Sequence, residues 1–139
     1  MKVMCDTNIV LDVLLDREPF AETSDKILRL CEKGIIEGYT TASCITDIFY
    51  FVRKYLHDTE LSYAAVEKLF EILRVCEVTD RHIREAIRLR RLDFEDTLVA
   101  VCAKSIPCDY IVTRDKKGFA DFDIPCLAPE KLLQEVTGE

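Results

Sequence analysis

The chain has 139 residues, 49 % of them apolar, with four glycines, four prolines and a formal net charge of −7. That length and apolar content predict a single domain over residues 1–139 with a substantial core, and exclude a disordered chain. The acidic balance argues against a generic polybasic nucleic-acid binder, and no apolar run is long enough to span a bilayer, so no membrane role is expected.

In chain order, residues 2–5 read as a buried strand and residues near 8–15 as a helix with Ile9, Val10, Val13 and Leu14 on its apolar face. Asp6 sits at the joint. "REPFAETSDKILRLCEKG" is a second helix that buries Ile27, Leu28, Leu30 and Cys31 and ends at Gly34. "IEGYTTA" is a short strand. "SCITDIFYFVRKYL" is a helix with Ile45, Ile48, Phe49, Val52 and Leu56 at core spacing. Thr59 is placed to cap the next helix, whose apolar positions are Ala65, Val66, Leu69, Phe70 and Leu73. "VCEV" is a short strand, and Thr79 or Asp80 opens a helix running to about Arg90. "DFEDTLVAVCAK" is a further helix, "CDYIVT" the clearest strand, and "IPCLAPEKLLQEV" a closing strand and helix. This alternation predicts a three-layer α/β/α sandwich around a parallel sheet of about five strands, with two helices in some crossovers. The seven cysteines are odd in number and irregularly spaced, and none forms a C-x-x-C pair. Cys5, Cys44 and Cys102 lie in apolar runs, where a free thiol acts as a small hydrophobe. With no leader-like N-terminus, a reducing cytoplasmic setting is expected.

Open parallel sheets bind ligands beyond the carboxyl ends of their strands. Asp6 ends the first strand; Thr113 and Asp115 follow "YIV"; Asp93 and Asp96 open the "DFEDTLVA" helix. Each has an ordinary reading. Asp6 and Asp93 can cap helices, Asp96 suits the helix dipole, and Asp115 can be a turn residue. Asp47 is harder to absorb, because a charge on so apolar a helix needs a partner or a metal. Ala100 and Ala103 share the stripe of Asp96, which lets that helix approach the sheet closely. An all-oxygen cluster suits Mg²⁺ or Mn²⁺ rather than a softer metal, and His57 and His82 lie in no ligand-like pairing. Such ions serve phosphoryl or phosphodiester chemistry. No Walker loop or G-x-S-x-G motif offers another route.

In order and spacing, "DTNIVLDVLL", "ASCITDIFYFVRK", "DFEDTLVAVCAK" and "YIVTRDKKGF" resemble the PIN-domain family over nearly the whole chain. The resemblance implies a compact parallel α/β/α fold and cleavage of single-stranded RNA with Mg²⁺ or Mn²⁺. Many bacterial and archaeal members are VapC-like toxins neutralised by an antitoxin protein, and the family is habitually dimeric. Position by position, Asp6, Asp47, Asp96 and Asp115 match its four acidic residues, with Asn8 and Thr113 in support. Asp47 stands where many members have Glu, and Gly118 where relatives often have Asp. The apolar helix "ELSYAAVEKLFEIL" agrees with a homodimer.

Positive charge is unevenly placed around these acids. Arg81, Arg84, Arg88 and Arg91 form one stripe on the helix leading to Asp93. Arg53 and Lys54 follow Asp47, while Arg114, Lys116 and Lys117 surround Asp115. Either this is a solvated face paired with acids such as Glu85, or it is a basic rim that holds phosphates. Two rival functions stay open. One is a catalytically weak RNA- or protein-binding module. The other is an aspartate-nucleophile phosphatase, against which Asn8 counts because such enzymes want Asp two residues after the nucleophile.

Overall fold

The computed structural model describes residues 1–138, and its elements follow the alternation of the sequence. Five strands, β1 (Lys2–Cys5), β2 (Glu37–Thr41), β3 (Arg74–Cys76), β4 (Tyr110–Val112) and β5 (Cys126–Leu127), form one sheet in the order β3-β2-β1-β4-β5. Every neighbouring pair is parallel. Helices α1 (Thr7–Leu14) and α2 (Ala21–Glu32) join β1 to β2, and α3 (Ala42–Leu56) and α4 (Thr59–Ile72) join β2 to β3. Helices α5 (Asp80–Leu89) and α6 (Phe94–Ser105) run back across the sheet to β4, and α7 (Pro129–Thr137) closes the chain. Right-handed crossovers put α1–α4 on one face and α5–α6, whose connection runs the other way, on the opposite face. The result is the expected three-layer α/β/α sandwich, with two helices in each of three crossovers.

Local chemistry sets most boundaries. Thr41 caps α3 by accepting from the Cys44 amide. Thr79 caps α5, with the His82 ring accepting from the Thr79 amide, so Thr79 rather than Asp80 is the cap of that helix. The expected cap at Thr59 is corrected. Asp58 accepts from the Leu61 amide and Thr59 is the first helical residue. Residue 34 lies just past α2 at φ 78°, a conformation that suits glycine. Strand β3 covers Arg74–Cys76 rather than "VCEV", where only Val75 and Cys76 pair with β2. Among the described residues no helix is long and apolar enough to cross a membrane.

The core is continuous through the sheet. Val3, Met4, Cys5, Ile111 and Val112 are fully buried on the two central strands, and Ala100, Cys102 and Ala103 are fully buried where α6 lies on them. The small side chains of α6 thus allow the close approach expected of them. Cys5, Cys44 and Cys102 are buried free thiols. On three helices the pattern differs from expectation. On α1 the most buried residues are Ile9, Val10, Leu11 and Asp12, with Val13 and Leu14 only partly covered. On α3 and α4, Leu56 and Phe70 stand outside the core at 44 % and 61 % exposure. Among the described residues these outer faces stay open.

Candidate active site

Between β1 and β4 the strand order switches, and there the carboxyl ends of both strands deliver their acids. The Asp6 amide donates to Val112 O at 3.0 Å, so the ladder carries Asp6 to the rim of the sheet. Asp6 occupies the N-cap position of α1 but makes no side-chain capping bond. Its Oδ2 instead accepts from the Thr113 hydroxyl at 2.8 Å. The Thr113 Oγ1 in turn accepts the Asp115 amide at 2.9 Å, and Asp115 Oδ1 accepts the Gly118 amide at 3.2 Å. Asp93 behaves differently: its carboxylate accepts the Asp96 amide at 2.9 Å and caps α6. Asp93 is therefore the cap, and Asp6 is a buried carboxylate at the sheet edge, free of any capping bond.

Asp6, Asn8, Asp47, Asp93, Asp96 and Asp115 line one cleft of about 550 Å³. The fold thus brings together the four acids named from the sequence, with Asn8 and the cap Asp93. Burial and like charge mark the site. Burial pushes the Asp6 carboxyl above its ordinary range, with the Thr113 hydroxyl opposing. Asp96 is pushed up to about 7, first by burial and then by the neighbouring charges of Asp93, Asp6 and Asp115. A Cβ at residue 118 would stand 2.8 Å from Asp96 Oδ2 and 2.9 Å from Asp115 Oδ2. Both oxygens therefore border the small space that Gly118 leaves open.

Sequence reasoning passed over four residues of this region. Glu95 lines the cleft and its carboxyl is raised chiefly by the charge of Asp47, so these two acids share one wall. Phe51 and Phe94, 44 % and 45 % exposed, put aromatic surface on the same cleft. Asp12, fully buried on α1, pairs with Arg114 through two bonds of 2.8 and 2.9 Å. A charge inside the apolar run "IVLDVLL" was the available signal for Asp12. The half-buried Asp47 drew attention on that same argument, although α3 buries only Cys44, Ile48 and Val52 fully.

The basic residues do not enter the cleft. Among the described residues, none that lines it is Lys, Arg or His. On α5, Arg84 pairs with Asp80 at 2.8 Å and Arg88 with Glu85 at 2.6 Å. Arg91, expected on the same helical stripe, lies beyond the end of α5 at Leu89, reaches Asp121 at 3.6 Å and lies over the Phe122 ring. Arg81 is exposed, as are Lys116 and Lys117 beside Asp115. Most of the stripe is thus a charged face paired with local acids.

The donor set is all oxygen and suits a hard divalent cation. Among the described residues, however, no three His, Cys, Asp or Glu side chains form a ready-made metal cage. Magnesium-type sites tolerate this, because such ions keep waters and use one or two carboxylates plus substrate oxygens. Burial and the like charges of Asp93, Asp6 and Asp115 act together on Asp96, and a bound cation would relieve part of that pressure.

A parallel α/β/α domain with an acidic cleft at its topological switch point is the class that fold and site define. The chain belongs to the PIN domain family, whose sequence profile matches residues 2–117. It is similar to Ribonuclease VapC1 of Aquifex aeolicus (strain VF5), 25 % identical over 138 residues that cover 96 % of this chain and 94 % of that protein. VapBC2 from Rickettsia felis, solved bound to a DNA fragment from their promoter, superimposes with a TM-score of 0.71 at 17 % identity, over 92 % of this chain and 98 % of that one. Mycobacterium tuberculosis VapC20, a Sarcin-Ricin loop cleaving toxin, gives 0.70 at 14 % identity, over 86 % and 95 %. At these identities the solved structures show a shared fold.

Proposed function

We propose that this protein is an endoribonuclease that cuts single-stranded RNA at the acidic cleft, using Mg²⁺ or Mn²⁺ and acting as the toxin of a toxin–antitoxin pair. The observation that carries the reading is the gathering of Asp6, Asp96 and Asp115 on one cleft, where burial first, and then the charges of Asp93, Asp6 and Asp115, raise the Asp96 carboxyl to about 7. Those three would hold the cation, with Asp47 on the facing wall. The cation would supply an activated water and offset charge developing on the phosphodiester. Thr113 orients Asp6 through its hydroxyl, and Asp93 holds the first turn of the helix that carries Asp96. Phe51 and Phe94 offer faces on which unpaired bases can stack, a contact suited to a cleft lined by no basic side chains. The likeness to a relative named as a ribonuclease supports the nuclease, and VapBC2 among the structural neighbours supports an antitoxin partner.

Purified protein is expected to cleave a single-stranded RNA oligonucleotide with Mn²⁺ or Mg²⁺ and to stop on addition of EDTA. Full-rate cleavage in excess chelator would exclude the site. Mn²⁺ binding without cleavage would leave the weak-nuclease binding module, and a phospho-aspartate at Asp6 would reveal a phosphatase.

We also propose a homodimer. The exposed Tyr55, Leu61, Tyr63 and Phe70 of α3 and α4 offer apolar surface that a second copy could cover. Light scattering at micromolar concentration should give twice the monomer mass. A monomer mass there counts against this state without touching the active site.

A further inference from the structure

We propose that Asp12 and Arg114 form a positioning clamp that sets where the Asp115 carboxylate enters the cleft. This rests on the nuclease reading above, and it assigns Arg114 a role other than phosphate contact. Asp12 is a carboxylate with no solvent exposure, inside helix α1. A buried charge of this kind persists only when it is paired and its lone pairs are used. The Arg114 fork satisfies it, with Nε donating to Oδ2 at 2.8 Å and Nη2 to Oδ1 at 2.9 Å. The Ser24 hydroxyl adds a donor at 3.3 Å and the Arg17 guanidinium stands 3.9 Å away. The flat face of Arg114 lies 3.8 Å from the centre of the Phe20 ring. Fork and face are both committed to this side of the molecule. A swing toward RNA would leave this buried charge with only the long Ser24 and Arg17 contacts.

The clamp sits in the middle of the segment that matters. Thr113, on one side of Arg114, donates to Asp6, while Asp115, on the other, hangs its amide on Thr113. Arg114 thus ties the chain to α1 at the point where it leaves β4, and α1 begins directly after Asp6. Two of the acids are therefore referenced to one rigid helix. Misplacing a reacting group by about 1 Å is enough to cost roughly a hundredfold in rate.

The test compares Asp12→Asn, Arg114→Lys, Arg114→Ala and the Asp12→Asn/Arg114→Ala pair. Lysine keeps the charge beside Asp12 but can neither fork nor stack, so Arg114→Lys guards against simple unfolding. Each single variant is expected to lose about tenfold or more in kcat with KM for RNA unchanged, and the double variant to be no worse than the poorer single. Guanidinium ion, below denaturing concentration, should restore part of the Arg114→Ala rate. Amide hydrogen exchange supplies a readout that needs no catalysis. The Asp115 and Gly118 amides should exchange faster in Arg114→Lys and Asp12→Asn, with the α5 amides unchanged. A parent that does not cut RNA would refute the nuclease reading, while the exchange data still judge the clamp. Raised KM in the Arg114 variants with Asp12→Asn at parental rate would make Arg114 an RNA contact and overturn the proposal. So would additive losses or unchanged exchange at Asp115 and Gly118.

Discussion

Asp96→Asn is expected to melt higher than the parent when both are metal-free at pH 8, and to lose RNA cleavage. The carboxyl of Asp96 is raised from its ordinary value to about 7. The native state therefore holds a proton there that the unfolded chain has already released. Stability from that proton is complete below the unfolded value near 4 and is lost as pH rises through about 7. Asparagine carries no such charge, so the variant should lack this slope and match the parent near pH 4. At pH 8 it should gain on the order of 1–2 kcal/mol, discounted because Asp96 is only partly buried. Manganese reverses the order. A cation that binds only the native state stabilises by mass action, and Asp96→Asn should forfeit most of that gain. Protons and metal compete for the same oxygens, so parental cleavage should climb with pH until about 7 and then level. Asp6→Asn should fall as steeply in cleavage. Asp93→Asn should be milder, because Asn and Asp cap helices about equally. Melting curves at several pH values with and without Mn²⁺, run beside a cleavage assay, read all of these. If Asp96→Asn kept both the metal-induced shift and parental cleavage, the site would be elsewhere.

The second large effect is expected at a residue with no side chain. Gly118→Ala should cut cleavage by roughly ten- to a hundredfold while moving the melting temperature by only a few degrees. The new Cβ would stand 2.8 Å from Asp96 Oδ2 and 2.9 Å from Asp115 Oδ2, closer than ordinary contact allows. No other atom stands as near, so the strain falls on two carboxylate ends that can rotate away. Fold stability then changes little, but the spacing of the oxygens does not survive. A larger side chain at this position would need a different set of the two carboxylates. Parental cleavage in Gly118→Ala would show that their present spacing is not the working one.

Strand and helix order, the caps at Thr79 and Asp93, and the places of Asp6, Asp96 and Asp115 at the ends of elements were legible in the chain because each depends on local rules. Asp6, Asp96 and Asp115 follow a strand or open a helix, and in a parallel sheet those positions reach one edge. The choice between cap and presented carboxylate was not local. Asp6 and Asp93 both occupy N-cap positions. Only the Thr113 hydroxyl, 107 residues from Asp6, separates their roles. The same distance problem hid the clamp, since Asp12 and Arg114 are 102 residues apart and each alone resembles a solvated charge. Periodicity showed that α3 and α4 carry apolar stripes, but not whether a further layer lies over them. Leu56 and Phe70 fit a core pattern and are nonetheless exposed. Charge stripes failed in a related way. Arg84 and Arg88 of α5 and Arg91 just beyond it were visible, whereas their pairing with Asp80, Glu85 and Asp121 depends on side-chain reach and, for Arg91, on a loop that folds back from beyond β4. By itself, then, the sequence determined which elements form and which acids stand at their ends, because backbone propensity and side-chain period act over a few residues. Only the tertiary structure decided which charges meet, which apolar faces stay open and which aspartate points into the cleft, because those outcomes depend on neighbours that the fold brings together from distant parts of the chain.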